Sequence, residues 1–420
     1  MVSIARKNLL EDIPRFLVAQ AGIMFAVSLV TIQTGIFQGV IHSTISLVTD
    51  SPADIWITSR RMVHLELTEP ILFENVVKAS EVKGVEKTDA LIIGSARWLV
   101  SASEITVVKV FGFNPAKELL FPGKVIEGSV KDLKEPYTLI VDQSKLRPLN
   151  IKKIGDHARL GSLSAKIIGI TQDSQSAVSG SFVFSSLETA NALINSRITS
   201  SVNCKWEAEE FLCVNIYKKV NSTPITDQLK KSNTVKHQPI VLNTPISFVL
   251  VKAKPGEDLK QLKQRLQKVV PQTSIYTRTE MIEKIRNFWE RRTGIGFILG
   301  LGAVVGIIVG IVIVGQILYS SVSDHIREFG TLKAMGASNY VIYSIIFEQA
   351  LWMAGIGYIP GILACWGLGT WTSATQGIVI LITPITAVGV FGITLFMCLS
   401  SAIFAIQKVN LVDPAIVFKA

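Results

Sequence analysis

Residues 294–320 read GIGFILGLGAVVGIIVGIVIVGQILYS, and residues 323–339 continue as SDHIREFGTLKAMGASN. The first run has no charged side chain and is longer than the roughly 20 apolar residues that an α-helix needs to cross a bilayer. The second run is short and charged, and another apolar run follows it at 340–369. This stretch therefore predicts two membrane spans joined by a small polar loop.

Two more apolar runs lie at 16–42 and 380–406. A signal peptide would have an apolar stretch about half as long as the first run and a small-residue cleavage site after it. Because the sequence has neither, we expect the first span to be retained. The fold class predicted is an α-helical membrane protein with four transmembrane helices and a large α+β extracytoplasmic domain inserted between helices 1 and 2.

Basic residues in the short flanks predict the orientation, since they favour the cytoplasmic side. They precede span one, lie between spans two and three, and follow span four: Arg6, Lys7, Arg15, Arg327, Lys333, Lys408 and Lys419. Both termini should thus be cytoplasmic and the large domain periplasmic, with the protein in the plasma (inner) membrane.

The net charge of +10 lies almost entirely in the large domain, where residues 43–293 hold 35 basic and 26 acidic side chains. These charges are scattered, without the basic and aromatic interleaving of nucleic-acid binders, so no nucleic-acid partner is expected. A solvated basic surface explains them. Attraction to anionic lipid headgroups or to an acidic partner is the alternative.

The sequence offers little for catalysis. It contains no G-x-x-x-x-G-K-[ST] phosphate loop, and its five histidines show no metal-ligand spacing. No span carries the ionisable relay of a proton-driven transporter. We therefore expect no enzyme activity, catalytic residue, metal or cofactor in this chain.

The large domain contains two β-α-β patterns that are far apart in sequence. The first is a strand at Asp54–Thr58, an amphipathic helix at Ile71–Ser80 and a strand at Gly84–Val100. The second is a strand at Ser247–Ala253, a helix at Asp258–Val270 and a strand at Thr273–Tyr276. This pattern predicts a split α+β module whose halves pair in space, with a mostly β subdomain inserted at about 114–242.

Cys204 and Cys213 lie within that insert, with eight residues between them. If the domain is extracytoplasmic, a disulfide between them is possible. Cys365 and Cys398 lie in apolar runs and are expected to be small packing residues.

After the second unit, Thr277-Arg-Thr-Glu280 has the form of a capping box, followed by apolar residues at helical spacing. This helix can run without a break into span two, and one rigid helix would then join the outer domain to the membrane. The predicted segments are an N-terminal cytoplasmic amphipathic segment (1–15), span one (16–42), the outer domain (43–276), the stalk helix with span two (277–322), the loop (323–339), span three (340–369), span four (380–406) and the tail (407–420).

Small residues recur along two spans at the spacing of one helix face: Gly302, Gly306 and Gly310 in span two, and Gly357 and Gly361 in span three. Such faces allow close helix–helix approach. Packing within one subunit and a dimer interface are both compatible with this pattern.

The loop 323–339 is amphipathic, because Ile326, Phe329, Leu332 and Met335 share one helical face. Gly336 is expected to end the helix. A solvated turn with an apolar face on the membrane is the alternative interpretation.

REFGTLKAMGAS in this loop resembles the R-E-x-G-x-L-[KR]-A-x-G-A signature of FtsX/MacB-type ABC transporter permeases. The run 294–339, YIPG (358–361), DPAIVF (413–418) and RKNLLEDIPRFLVAQAGIMFAV near the N-terminus are similar to the DevC branch of cyanobacteria. The likeness covers the whole topology and is specific around 289–361.

The resemblance implies that the loop is a coupling helix docking on a separate ABC ATPase subunit through Asp324, His325, Arg327, Glu328, Lys333 and Gly336. It implies a homodimeric permease in contact with membrane lipid, a periplasmic adaptor (membrane fusion protein) and, beyond it, an outer-membrane channel. The function implied is export of a lipid or other amphiphile.

Export has two functional alternatives. An FtsX-type mechanotransmission protein would regulate an envelope partner without transport. A sensory receptor would need a cytoplasmic output domain, whereas the longest cytoplasmic segment predicted is the loop 323–339.

Overall fold

The computed structural model describes residues 13–101, 103–196, 199–207, 210–218, 239–376 and 380–410, and of 199–207, 210–218, 373–376 and 408–410 it gives the backbone alone. The predicted amphipathic segment 1–15 and the tail 407–420 therefore lie mostly outside the described residues. The helices are α1 (Ile13–Thr49), α2 (Glu74–Ser80), α3 (Leu187–Ile194), α4 (Leu259–Val269), α5 (Arg278–Arg291), α6 (Ile295–Asp324), α7 (Ile326–Ala334), α8 (Asn339–Gln376) and α9 (Pro384–Asn410).

The strands are β1 (Ile55–Ser59), β2 (Ile71–Leu72), β3 (Val85–Leu99), β4 (Ile105–Phe113), β5 (Lys124–Glu127), β6 (Thr138–Asp142), β7 (His157–Leu160), β8 (Leu163–Gln172), β9 (Ser181–Ser186), β10 (Thr199–Glu207), β11 (Glu210–Lys218), β12 (Pro245–Ile246), β13 (Phe248–Ala253) and β14 (Thr273–Thr277). Contacts divide the chain into two compact units. The membrane unit comprises Met1–Val40 and Thr293–Ala420, and the outer unit comprises Ile41–Arg292.

Four helices in the described part of the chain are long and apolar enough to span a membrane: Ile13–Thr49, Ile295–Asp324, Asn339–Thr372 and Pro384–Gln407. The four predicted spans are thus confirmed. An α-helix pairs most of its backbone groups within itself, which is what a chain in hydrocarbon requires.

One mixed sheet forms the centre of the outer unit, in the order β14-β1-β13-β3-β4-β9-β6-β8-β5, with β7 pairing β3 and β8. β1 lies antiparallel between β13 and β14, so strands from the two distant β-α-β patterns pair directly. All five residues of β1 are buried, as expected for a strand with neighbours on both edges and layers on both faces. The predicted split module is confirmed by these pairings.

The inserted segment continues the same sheet, because β4 pairs with β9 in parallel and β9 pairs with β6. The core shared by these strands includes Trp98, Val108, Leu139 and Val183. The helix predicted at Ile71–Ser80 begins only at Glu74. Ile71–Leu72 instead form a two-residue strand with Pro245–Ile246, a tertiary pairing that overrides the local pattern.

The predicted capping box is confirmed at the start of α5. The Thr277 side chain accepts from the Glu280 backbone N–H, and the Glu280 side chain accepts from the Thr277 N–H. The expected unbroken stalk helix is wrong, since α5 ends at Arg291 and α6 begins at Ile295. Gly294 between them has φ +68°, a left-handed conformation that glycine adopts without steric cost and that interrupts a right-handed helix.

Candidate coupling helix

The loop between spans two and three forms a helix, α7, with defined ends. His325 separates it from α6 with a backbone that is not helical (φ −92°, ψ 18°). At the other end, Ala337 N–H donates to Leu332 C=O at 3.0 Å, and Gly336 N–H donates to Lys333 C=O at 3.0 Å. This pair of bonds, with Gly336 at φ +90°, is a Schellman motif. The prediction that Gly336 ends the helix is confirmed.

The two faces of α7 differ. Phe329 is 2% exposed and belongs to the apolar core of the membrane unit, where Leu332 packs against that core. Arg327, Glu328 and Thr331 are exposed on the other side. The helix is therefore anchored along one side, and its polar side is exposed.

Met335 departs from the predicted apolar face. It follows the last helical residue and is 71% exposed. Because the helix ends before Met335, the apolar face ends at Leu332. Tyr340, at the start of α8, is 79% exposed and adds a second apolar side chain near this end of the loop. Spacing alone did not identify Met335 or Tyr340 as surface residues.

Three of the predicted ATPase-contact residues have partners within the chain. Asp324 forms an ion pair with Arg15 of α1. The His325 Nδ1 lies 3.0 Å from the Ser321 carbonyl oxygen, where it caps the end of α6. Lys333 is half-buried and also interacts within the chain. The exposed face thus comes from Arg327 and Glu328, together with Thr331 and Met335.

The five predicted packing glycines all contact other helices of the same membrane unit. A Cβ built on Gly357 would lie 2.6 Å from Ile23, and one on Gly361 would lie 2.9 Å from Val27, both on α1. On α6, Gly302 faces Gln33 of α1, Gly306 faces Leu29 of α1, and Gly310 faces Ala26 of α1 and Met397 of α9. These glycine faces are occupied within one subunit, so they do not supply a free dimer interface.

The two cysteines of the insert face each other across a hairpin. In the antiparallel β10–β11 pair, Cys204 is directly opposite Cys213, and Glu207 is opposite Glu210. Their side chains lie outside the described residues, so the disulfide remains a proposal. Among the described residues, no group of three or more His, Cys, Asp or Glu side chains is placed to hold a metal ion.

These features define a class: an integral membrane protein in which a short amphipathic helix between two spans presents a polar face, with a large α/β domain between the first and second spans. Two family models match the chain, the MacB-like periplasmic core domain at residues 16–269 and the FtsX-like permease C-terminal at residues 300–412. The first covers more than half of the sequence. The chain belongs to the MacB/FtsX-like family of ABC transporter permeases.

A similar individual protein shares only modest sequence identity with this chain. The macrolide export ATP-binding/permease protein MacB of Hyphomonas neptunium is 27% identical over 125 residues, which are 30% of this chain and 19% of that protein. The aligned part is thus about a fifth of the relative's length.

Two solved structures are similar. The periplasmic region of MacB from Actinobacillus actinomycetemcomitans is 12% identical, with TM-score 0.36 over 56% of this chain and 93% of that one. The extracellular domain of the noncanonic ABC-type transporter YknZ from Gram-positive bacteria is 11% identical, with TM-score 0.31 over 54% and 98%. At TM-scores this low the likeness carries no weight, and the family membership rests on the two sequence models.

Proposed function

We propose that this chain is the permease subunit of an ABC exporter of the MacB/DevC type. It couples ATP hydrolysis by a separate ATPase subunit to conformational change of the periplasmic outer unit. The chain works as a homodimer in the inner membrane with both termini cytoplasmic, and an adaptor and an outer-membrane channel complete the path for a lipid or other amphiphile.

The observation that carries this proposal is the two-faced helix α7. Phe329 fixes one side in the core of the membrane unit, so α7 moves with the spans rather than independently of them. Arg327 and Glu328 on the other side are exposed and carry opposite charges. A partner that binds this face can therefore displace the spans when its own conformation changes.

The ion pair of Arg15 with Asp324 supports a second role for the loop. Both side chains are about half exposed, and such pairs contribute at most about 1 kcal/mol to stability. We assign this pair to positioning, since it links the start of α1 to the end of α6. The ATPase contact is assigned to Arg327, Glu328 and the exposed portion of the Lys333 side chain. His325 and Gly336 fix the two ends of the helix.

The test is purification of the tagged chain from its native membranes in mild detergent, followed by an assay for vanadate-sensitive ATP hydrolysis. The wild-type chain should retain an ATPase, and Arg327→Glu should lose most of it, because the substitution reverses a charge on the docking face. Lys124→Glu is the matched control, an equal charge reversal at an exposed position of β5. Retention of an equal amount of ATPase by Arg327→Glu would refute the docking assignment.

Transport and mechanotransmission of the FtsX type differ in what a deletion strain accumulates. Export predicts retention of the amphiphile in the inner membrane, measurable by lipid extraction of separated membranes. Regulation without transport predicts unchanged lipids and altered activity of an envelope enzyme. An adaptor encoded next to this chain would favour export.

A further inference from the structure

The outer unit holds together the two chain segments through which it continues into membrane spans, namely the last turns of α1 and the last turn of α5. Since the backbone between α5 and α6 is interrupted at Gly294, α5 and span two are not one rigid rod. A movement of the last turn of α5 is therefore transmitted to the rest of the outer unit by the side-chain contacts of that turn.

The first contact joins α1 to the loop that follows β8. Ala177 N–H donates a hydrogen bond to the Ser43 Oγ at 3.0 Å. This loop, residues 173–180, belongs to the inserted segment and is fixed to two of its strands. Its Ser174 donates to the Asp142 carboxylate of β6 from both N–H (2.9 Å) and Oγ (2.8 Å). Gln175 exchanges two hydrogen bonds with the backbone of Phe182 in β9, at 2.8 and 3.1 Å.

The second contact joins the same loop to a tight turn at residues 63–67. The Ser179 hydroxyl donates to the Glu66 carboxylate. Backbone bonds close the turn, with Val63 N–H donating to Leu67 C=O at 2.9 Å and Leu67 N–H donating to His64 C=O at 3.0 Å. Because the turn is closed in this way, Glu66 and His64 move together.

The third contact joins the turn to α5. The His64 ring stacks on Phe288, with 4.6 Å between ring centroids and 26° between planes. Its edge meets Trp289 at a centroid distance of 5.5 Å. Stacked rings of this kind stabilise the contact beyond the apolar area they bury.

The surroundings are partly dry and favour neutral side chains in this group. Burial lowers the pKa of His64, and the nearby Lys109 lowers it further. Burial also raises the pKa of Glu66 despite the bond from Ser179 and the charge of Lys109. If His64 or Glu66 lost its partner, a polar group would be left in poorly solvated surroundings. These contacts therefore favour a single arrangement of the turn.

We propose that these contacts form a clasp, made of Ser43, the loop 173–180, the turn 63–67, Phe288 and Trp289, which couples both membrane-linked segments to each other and to the inserted segment. The inference rests on the proposed function only in that it assigns a route to the movement that ATP hydrolysis would drive. In the clasp, a displacement of either segment changes the position of β6 and β9.

Hydrogen exchange on the full-length chain in detergent tests the clasp without an ATPase. Ser43→Ala should raise exchange in 173–180 and also in the last turn of α5, and His64→Ala should raise exchange in α5 and also in 173–180. Coupling of this kind is reciprocal. His64→Phe keeps the stacking and should restore wild-type exchange at both ends. Leu67→Ala, an exposed residue of the same turn, is the control.

Changes confined to the segment that carries each substitution would overturn the clasp, as would failure of His64→Phe to restore the far end. The second arm uses the chain with its copurified ATPase. ATP with vanadate should change exchange in β6 and β9 of the wild type, and His64→Ala should abolish that change while ATP hydrolysis continues. If no ATPase copurifies but the reciprocal exchange holds, the proposed function fails and the clasp stands.

Discussion

The two units of this chain bury apolar surface by different means. In the outer unit, large side chains fill the space between sheet and helices, and Trp56, Trp98 and Phe184 are at most 1% exposed. In the membrane unit, glycines such as Gly357 and Gly361 bring α8 so close to α1 that an added Cβ would lie 2.6–2.9 Å from it. Water drives large apolar groups together, whereas lipid tails do not, so helices in a bilayer associate through close backbone approach.

The surfaces show the same contrast. Phe297, Trp366 and Ile385 of the membrane unit are 74%, 66% and 84% exposed. An apolar surface of this kind fits a lipid environment and would be an aggregation hazard in water. The comparison shows that apolar content alone does not define a core, because the surrounding solvent decides which side chains must be covered.

The largest loss of stability is expected from a substitution in the core of the outer unit, where large side chains fill the interior. Phe184 is fully buried and its ring lies 5.4 Å from that of Phe111, centroid to centroid. Phe184→Ala should destabilise the outer unit by about 3–5 kcal/mol, since it removes an aromatic ring and leaves a cavity. Thermal unfolding and limited proteolysis in detergent measure it. Val107→Ala, at a position of the neighbouring β4 that is 56% exposed, should have little effect.

A second prediction concerns the pH dependence of the outer unit. Asp89 of β3 is 5% exposed, and burial raises its pKa from 3.8 to about 7, although the backbone N–H groups of Asn114 and Ala90 donate to it. The folded state thus binds the proton more tightly than the unfolded state. The resulting stabilisation is fully present below about pH 3.8 and is lost as the pH rises through about 7.

The free energy of unfolding of the wild type should therefore fall by on the order of 2 kcal/mol between pH 5 and pH 8 because of Asp89. In Asp89→Asn this part of the fall should be absent. Denaturant unfolding across that range measures it. Asp132→Asn, at an exposed position, should keep the wild-type profile. A wild-type profile in Asp89→Asn would contradict the assignment.

A smaller effect is expected in the spans, and its sign depends on the position along α8. Gly357→Ala should destabilise the membrane unit by about 1–3 kcal/mol, because the added methyl group meets Ile23 of α1 at 2.6 Å. Gly355→Ala has no neighbour within 4 Å and should be neutral or stabilising, since alanine favours helices over glycine. Thermal unfolding of the two variants in detergent compares them, and equal melting temperatures would refute the close packing of α1 on α8.

The smallest effect is expected from the cysteines. Cys204 and Cys213 are paired in the hairpin register, and cross-strand neighbours lie at a Cα distance that a disulfide can bridge. Cys365 and Cys398 are buried and free in the membrane unit. A thiol assay on denatured, unreduced protein should count two thiols, and Cys204→Ser should add one. Because β10 and β11 form their own two-stranded sheet, this variant should scarcely change unfolding of the main sheet.

The sequence predicted the features that depend on local periodicity. The spans, the strand FVLVKA of β13 and the capping box at Thr277 follow from hydropathy, β-branched content and side-chain chemistry within a few residues. Features that depend on distant contacts escaped it. The family resemblance assigned Asp324 to the ATPase contact. Its ion pair with Arg15, 309 residues away in sequence, leaves no local signal that the pattern could show. The break at Gly294 was missed because apolar helical patterns continue on both sides of it, and glycine is common inside membrane helices.

The position of β1 in the sheet has a consequence for biosynthesis. Its hydrogen-bonding neighbours come much later in the chain, since Ile57 pairs with Val249 of β13 and Ile55 pairs with Thr277 of β14. At about 5–20 residues per second, the ribosome needs on the order of ten seconds or more to make them, and the intervening strands are complete first. Throughout this interval the nascent segment IWITS has both edges unpaired, which makes it a template for wrong pairing. During synthesis this early segment therefore has to stay unpaired until the late strands arrive.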